Sequence, residues 1–178
     1  MLTPNRLAGV AVLCLLAGVP IRVVAGPPAQ TPTGDQLAII VHPNNPVSGL
    51  TTGELRRIFM LETQTWPTGR KITVVLREKG QPERTEAIRM ICAVSEVEFD
   101  RHVLLQTFRG AVNSGPRSIQ SASAMIRFIF NAPGAIGYVR ADQLDGTTKT
   151  LPIDGWLPSD PKYPLRRATR GAAGDVKW

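Results

Sequence analysis

The stretch Asn131–Val139, with the sequence NAPGAIGYV, is the segment that best defines the fold of this chain. It closes a run of apolar residues at helical spacing, which begins at Ile119 and ends at Asn131. Pro133-Gly134 then predicts a turn, because this pair interrupts both helices and strands. The apolar run Ala135–Val139 predicts a short strand. The stretch therefore predicts a helix, a turn and a strand in direct succession.

Further apolar runs extend this pattern along the chain. They predict strands at Gln36–Val41, Ile72–Leu76 and Lys149–Ile153. The unbroken apolar character of Gln36–Val41 is typical of a strand covered on both faces, as in parallel sheets. Because the predicted strands alternate with predicted helices, we expect an α/β domain whose mostly parallel or mixed sheet is flanked by helices.

Two helix starts have the capping-box pattern, in which a serine or threonine is followed three residues later by a glutamate. Thr51 and Glu54 form the first, and Ser95 and Glu98 form the second. The helix that follows Ser95 is predicted to end near Phe108. Both helices therefore have starts defined by local sequence alone.

The N-terminus has the pattern of a cleaved secretory signal, which we place at residues 1–25. Its apolar run is short for a membrane span, and small residues precede the predicted cleavage site. Residues 26–35 predict a disordered tether, residues 36–167 the domain, and residues 168–178 a disordered tail. We therefore expect a periplasmic or secreted protein with no membrane span after processing.

The chain carries a formal net charge of +7. An exported basic protein is expected to meet anions, anionic lipids or an acidic partner rather than nucleic acid. Ordinary solubilising charge is the alternative explanation. Only Cys92 remains after removal of the signal, so no internal disulfide is expected, and its apolar neighbours predict a buried side chain.

Catalysis is not indicated by the sequence. His42 and His102 are the only histidines, and neither neighbours a recognisable nucleophile. The chain has no Gly-x-Ser-x-Gly, no His-Glu-x-x-His and no Cys/His metal spacing. We expect no enzyme activity, no catalytic residues, no metal site and no cofactor.

Anion binding is better supported by the residues. Arg77 lies at the end of a predicted strand, and Gly80 lies just before a helix predicted to start near Pro82. A helix start offers free backbone N–H groups and a favourable dipole to an oxyanion. The alternative is an ordinary salt bridge from Arg77 to Glu83 or to another surface acid.

Several motifs, taken in order, resemble one family. They match the substrate-binding proteins of bacterial phosphate-uptake (ABC) transporters, and in particular one lobe of these type 2 periplasmic binding proteins. The resemblance extends from about Leu37 to Arg167 and implies the fold of one lobe and a transporter partner. Besides Pro133–Val139, the matching motifs are Leu50–Phe59, Thr65–Pro67, Val74–Arg77, Leu151–Gly155 and Tyr163–Arg167.

The same resemblance implies a phosphate-binding loop at 77–83. In the relatives this loop is Arg-Ser-Asp-Gly-Ser-Gly-Thr, and here Lys79 replaces the acid and Gln81 a serine. Pro82 removes an N–H donor, and Glu83 brings negative charge to the position of the anion. The candidate ligand-binding residues are Arg77, Lys79, Gly80 and Gln81.

The sequence leaves two functions open. The first is an exported solute-binding module that binds phosphate or another oxyanion through the loop between strand and helix. The second is an interaction or sensory accessory module that has kept the fold and lost the ligand. Such a module would dock on a transporter, a sensor or another envelope protein through the face that the second lobe covers in the relatives.

Overall fold

The computed structural model describes residues 34–112 and 115–167. The predicted signal at 1–25, most of the tether at 26–35 and the tail at 168–178 lie outside these residues. The elements described are β1 Leu37–Val41, α1 Thr52–Phe59, β2 Thr73–Arg77, α2 Pro82–Cys92, α3 Glu96–Phe108, β3 Arg117–Ile119, α4 Ala122–Asn131, β4 Ala135–Arg140 and β5 Lys149–Leu151.

The strands form one mixed sheet of order β3-β2-β4-β1-β5. Strand β2 is parallel to both β3 and β4, whereas β1 is antiparallel to both β4 and β5. The predicted α/β class with a mixed sheet is therefore confirmed. The parallel environment expected for Gln36–Val41 is wrong, although every residue of β1 is buried. A strand in the middle of a covered sheet is apolar throughout whichever way its neighbours run.

The sheet is the middle of three layers. Alternate residues of β1, such as Ile39, pack with Tyr138 in a large apolar cluster that includes residues of α1, α2 and α3. Their neighbours, such as Ala38 and Ile40, pack with Met125 of α4 on the opposite face. Burial on both faces explains why β1 and β4 have no polar alternation.

The predicted turn at Pro133-Gly134 is confirmed, and it fixes how α4 connects to β4. The carbonyl of Gly134 accepts hydrogen bonds from the backbone N–H of Thr73, at 3.0 Å, and from Trp66 Nε1, at 3.1 Å. A Cβ atom at Gly134 would collide with the carbonyl oxygen of Lys71. Glycine is therefore needed because two main-chain segments approach closely at this point.

The prediction that the helix begins at Ile119 is wrong. Ile119 ends β3, and α4 begins only at Ala122, after the cap residue Ser121. Strand β3 was missed because it has three residues, Arg117–Ile119, of which the first two are exposed. Its place in the sheet comes from pairing with β2 and not from an apolar run.

Both predicted capping boxes are confirmed. The side chains of Thr51 and Ser95 each accept a hydrogen bond from the backbone N–H of the glutamate three residues on, and the carboxylate of that glutamate accepts one from the backbone N–H of the cap residue. The start of α2 differs, because its cap residue Gln81 makes no side-chain cap bond and Pro82 follows. The side chain of Cys92 is buried at the end of α2, and burial raises the pKa of its thiol to about 12.

Helix α3 presents apolar side chains outwards. Val97 and Phe108 are 78% and 81% exposed, and Leu104 and Leu105 are also exposed. His102 on the same helix is half-buried, and its Nε2 lies 2.9 Å from the carbonyl oxygen of Met60. Among the described helices, none has the length and apolar character needed to cross a membrane.

Candidate binding site

The parallel strands β2, β3 and β4 end at one edge of the sheet, and a cavity of about 830 Å³ lies there. Arg77 ends β2, Arg140 ends β4, and both line this cavity. The N-terminal residues of α4, which follow β3, complete one wall. In α/β sheets the carboxyl ends of parallel strands are the usual place for a ligand.

The main chain of Arg77 is fixed by two hydrogen bonds, whereas one nitrogen of its guanidinium group has no partner. Its backbone N–H donates to Tyr138 Oη at 3.2 Å, and its carbonyl oxygen accepts from Arg84 Nη1 at 3.2 Å. Burial raises the pKa of Tyr138 to about 12, so this phenol stays neutral at ordinary pH. Arg77 Nη1 is buried and has no hydrogen-bond partner. An unpaired buried donor is costly, so this nitrogen is suited to receive an acceptor from a ligand.

The start of α4 adds a second feature suited to anions. Ser121 Oγ accepts a hydrogen bond from the backbone N–H of Ala124 at 3.1 Å and lies 3.2 Å from Ser123 Oγ. The first turn of this helix has no acidic residue that would neutralise its positive end. Arg127, one turn further along, also lines the cavity. Backbone dipole, hydroxyl groups and guanidinium groups therefore converge on one space.

Two acids also line the cavity. Glu83, on the first turn of α2, has a buried Oε2 atom without a hydrogen-bond partner. Asp145 accepts hydrogen bonds from the backbone N–H and the hydroxyl of Thr147, at 3.0 and 2.7 Å. These bonds hold the pKa of the Asp145 carboxyl below its usual value, so the group is charged at neutral pH. The cavity thus offers both positive and negative partners.

Arg84 fixes the loop between β2 and α2 from the other side. It is buried, and its Nε and Nη2 atoms each lie 2.7 Å from a carboxylate, of Glu96 and of Asp100 respectively. Its third nitrogen bonds the carbonyl of Arg77. The guanidinium group also lies over the ring of Phe99, 5.9 Å from its centroid. Arg84 therefore ties α2, α3 and the end of β2 together.

Among the four residues predicted from the loop, the structure brings only Arg77 to the cavity lining. Lys79 is 70% exposed and pairs with Asp100 at 2.7 Å. Gly80 forms the turn with a φ of +83°, a value that favours glycine, and Gln81 is the cap residue of α2. The alternative of a salt bridge from Arg77 is not found within residues 34–112 and 115–167.

Sequence reasoning missed Ser121, Ser123, Arg127 and Arg140. The available signal was a serine cap before an apolar helix, the pattern that was recognised at Ser95. This cap points to a binding site only once β3 is known, because β3 pairs with β2 and so brings the start of α4 beside the end of β2. Arg140 joins the site because β4 pairs with β2.

The architecture is an α/β lobe with a cavity at the carboxyl edge of its sheet. The model of the PBP superfamily domain matches residues 30–171, and the chain belongs to this superfamily. No curated protein sequence matches the chain.

Solved structures agree with this assignment. The chain is similar to an ABC-type phosphate transport receptor from Vibrio cholerae, with 23% identity and a TM-score of 0.57 over 70% of this chain and 48% of the receptor. It is similar as well to a phosphate ABC transporter substrate-binding protein with bound phosphate from Clostridium perfringens. The identity is 21% and the TM-score 0.61, over 75% of this chain and 53% of that protein. The chain is also similar to PstS from Borrelia burgdorferi, with 17% identity and a TM-score of 0.59 over 75% of this chain and 55% of PstS.

These likenesses establish the fold as that of one lobe of phosphate-binding proteins. The chain spans about half the length of the structures it matches.

Proposed function

We propose that this protein is an exported solute-binding module that binds an oxyanion, phosphate in the first place, at the carboxyl edge of its sheet. The observation that carries the proposal is the buried, unpartnered Nη1 of Arg77 in the cavity lining. Guanidinium groups bind phosphate and carboxylate groups through two parallel hydrogen bonds, which gives both strength and orientation.

The surroundings of Arg77 support the same ligand. Arg127 and Arg140 add positive charge to the cavity lining, and the start of α4 adds backbone donors. Lys79, Gly80 and Gln81 remain predicted contacts of the loop. We expect weaker contributions from them, because none of the three lines the cavity.

The sequence and the fold also support a cellular location and a partner for this module. The predicted signal supports a periplasmic or secreted location. Structures of similar fold are described as a transport receptor and a substrate-binding protein of phosphate ABC systems, which supports an uptake transporter as partner and a binding role without catalysis.

A thermal-shift titration with phosphate, sulfate and a neutral solute tests the proposal. Ligand that binds only the folded state raises the melting temperature as its concentration exceeds Kd. We expect phosphate to raise it in the wild type, and Arg77→Ala to abolish the shift. Arg89→Ala removes the same charge from an exposed position on α2 outside the cavity and should leave the shift unchanged.

A rise that survives in Arg77→Ala would show that the anion binds elsewhere. No rise with any anion would overturn oxyanion binding. It would then favour the second function left open by the sequence, an interaction or sensory accessory module.

A further inference from the structure

The cavity contains opposite charges that are not paired with each other. Arg77 Nη1 and Glu83 Oε2 are both buried, and neither has a hydrogen-bond partner. Within the described part of the chain the two side chains form no ion pair. A guanidinium group needs an acceptor, whereas a carboxylate oxygen needs a donor. Each group therefore requires a different complementary group, and a bare oxyanion satisfies only the first.

The size of the cavity exceeds what a single phosphate needs. Its volume is about 830 Å³, and cavities that hold organic ligands range from about 300 to 1,000 Å³. Leu37, Ile126 and Val139 give the lining an apolar part. There is consequently room, and suitable surface, for a carbon chain attached to the oxyanion.

The side chains with the two unpaired charges line the same cavity. The hydroxyl of Tyr138 accepts a hydrogen bond from the backbone N–H of Arg77 at 3.2 Å. Tyr138 lines the cavity together with them. A single molecule in this cavity can therefore contact both charged side chains.

We propose that the natural ligand of this site is a small organic zwitterion, in which an oxyanion is joined through a short linker to an ammonium group. This inference rests on the proposed function, because the oxyanion is the group held by Arg77 and by the start of α4. The ammonium group donates to Glu83 Oε2. Glu83 thus selects for ligands that carry the cation and against anions that lack it.

Calorimetric titration of the full chain with three probes tests this selection. The probes are inorganic phosphate, ethyl phosphate and O-phosphoethanolamine, which differs from ethyl phosphate by its ammonium group. We expect O-phosphoethanolamine to bind about tenfold more tightly than ethyl phosphate, the ratio that one charge-assisted hydrogen bond supports. Equal or weaker binding of O-phosphoethanolamine would overturn the inference and leave oxyanion binding intact.

Variants separate this inference from the proposed function. Glu83→Gln should bring the two organic probes to within about twofold of each other and strengthen ethyl phosphate, because the carboxylate charge is gone. Glu62→Gln removes the same charge from an exposed position outside the cavity and should keep the tenfold ratio. Arg77→Ala should weaken all three probes. Failure of every probe to bind the wild type would instead refute the proposed function.

The zwitterion can be free in solution or form the headgroup of a lipid. Sedimentation of the protein with vesicles that contain phosphatidylethanolamine distinguishes these sources, with phosphatidylcholine vesicles as the control. A quaternary ammonium has no N–H donor for Glu83, so only the first vesicles would retain the protein if the source is a lipid. Binding of free O-phosphoethanolamine without vesicle retention would assign a soluble ligand. Equal retention on both vesicles would contradict selection by Glu83.

Discussion

Arg77 and Arg84 lie seven residues apart, on opposite sides of the loop between β2 and α2, and their guanidinium groups have opposite roles. Arg84 contacts two carboxylates and a carbonyl, so each of its nitrogens has an acceptor. Arg77 has a buried nitrogen with none. Two arginines in one short segment thus differ: Arg84 joins three elements of the fold, whereas Arg77 has a buried donor without a partner.

Substitution of Arg84 should have the largest effect on stability. Arg84→Met leaves Glu96 and Asp100 without their buried partner, and we expect a loss of about 3 kcal/mol in the free energy of unfolding. Arg77→Met should not lower stability, since it breaks no side-chain hydrogen bond that the structure shows and removes a buried donor without a partner. Urea unfolding measures both values. Similar losses in the two variants would show that the contrast between the arginines is wrong.

Tyr138, which accepts a hydrogen bond from the backbone N–H of Arg77, should make the stability of the fold depend on pH. Its pKa is about 12 in the folded chain, because of burial, against about 10 in an unfolded one. The folded state therefore favours the neutral phenol. The resulting stability is complete below pH 10 and is lost as the pH rises from 10 through 12, by about 3 kcal/mol in all.

Tyr138→Phe tests this dependence, because it removes the ionisation and leaves the ring. Its unfolding free energy should fall less steeply between pH 10 and 12 than that of the wild type. Some loss will remain, since burial also raises the pKa of Tyr163 and of Cys92. Identical curves for wild type and variant would mean that Tyr138 ionises without cost.

The starts of α2 and α3 also differ in whether a side chain is paired, with a smaller expected effect on stability. Ser95 caps α3, which carries the partners of Arg84, whereas Gln81 makes no cap bond at the start of α2. Ser95→Ala should therefore cost about 1 kcal/mol, and Gln81→Ala close to nothing. Thermal or urea unfolding of both variants decides the point. A cost for Gln81→Ala that equals the cost for Ser95→Ala would show an unrecognised cap.

These contrasts explain how far the sequence predicts the fold. Ser95 and Thr51 could be recognised because a capping box is complete within four residues. The apolar runs gave β1, β2 and β4, since burial on two faces leaves a local pattern. Strand β3 has no such pattern, because Arg117 and Ser118 are exposed and only pairing with β2 makes them a strand. The antiparallel direction of β1 is likewise set by its neighbours and leaves no trace in its composition.

The site was less predictable than the fold for the same reason. Arg77 was identified because a strand end beside a helix start is a local feature. Ser121, Arg127 and Arg140 come from two other segments, and sheet pairing alone brings them to Arg77. The different environments of Arg77 and Arg84 were invisible as well, because the partners of Arg84 lie on α3.

Substitution of Lys79 should have the smallest effect, and it tests whether the loop or the cavity binds the anion. It follows Arg77 in the loop but pairs with Asp100, which is also a partner of Arg84, and it is 70% exposed. Lys79→Ala should change stability by less than about 0.5 kcal/mol, as is usual for exposed ion pairs. Phosphate affinity should fall by only about twofold, through loss of a distant charge that salt screens. Titration of Lys79→Ala beside Arg77→Ala measures the difference; equal losses would place the anion in the loop rather than in the cavity.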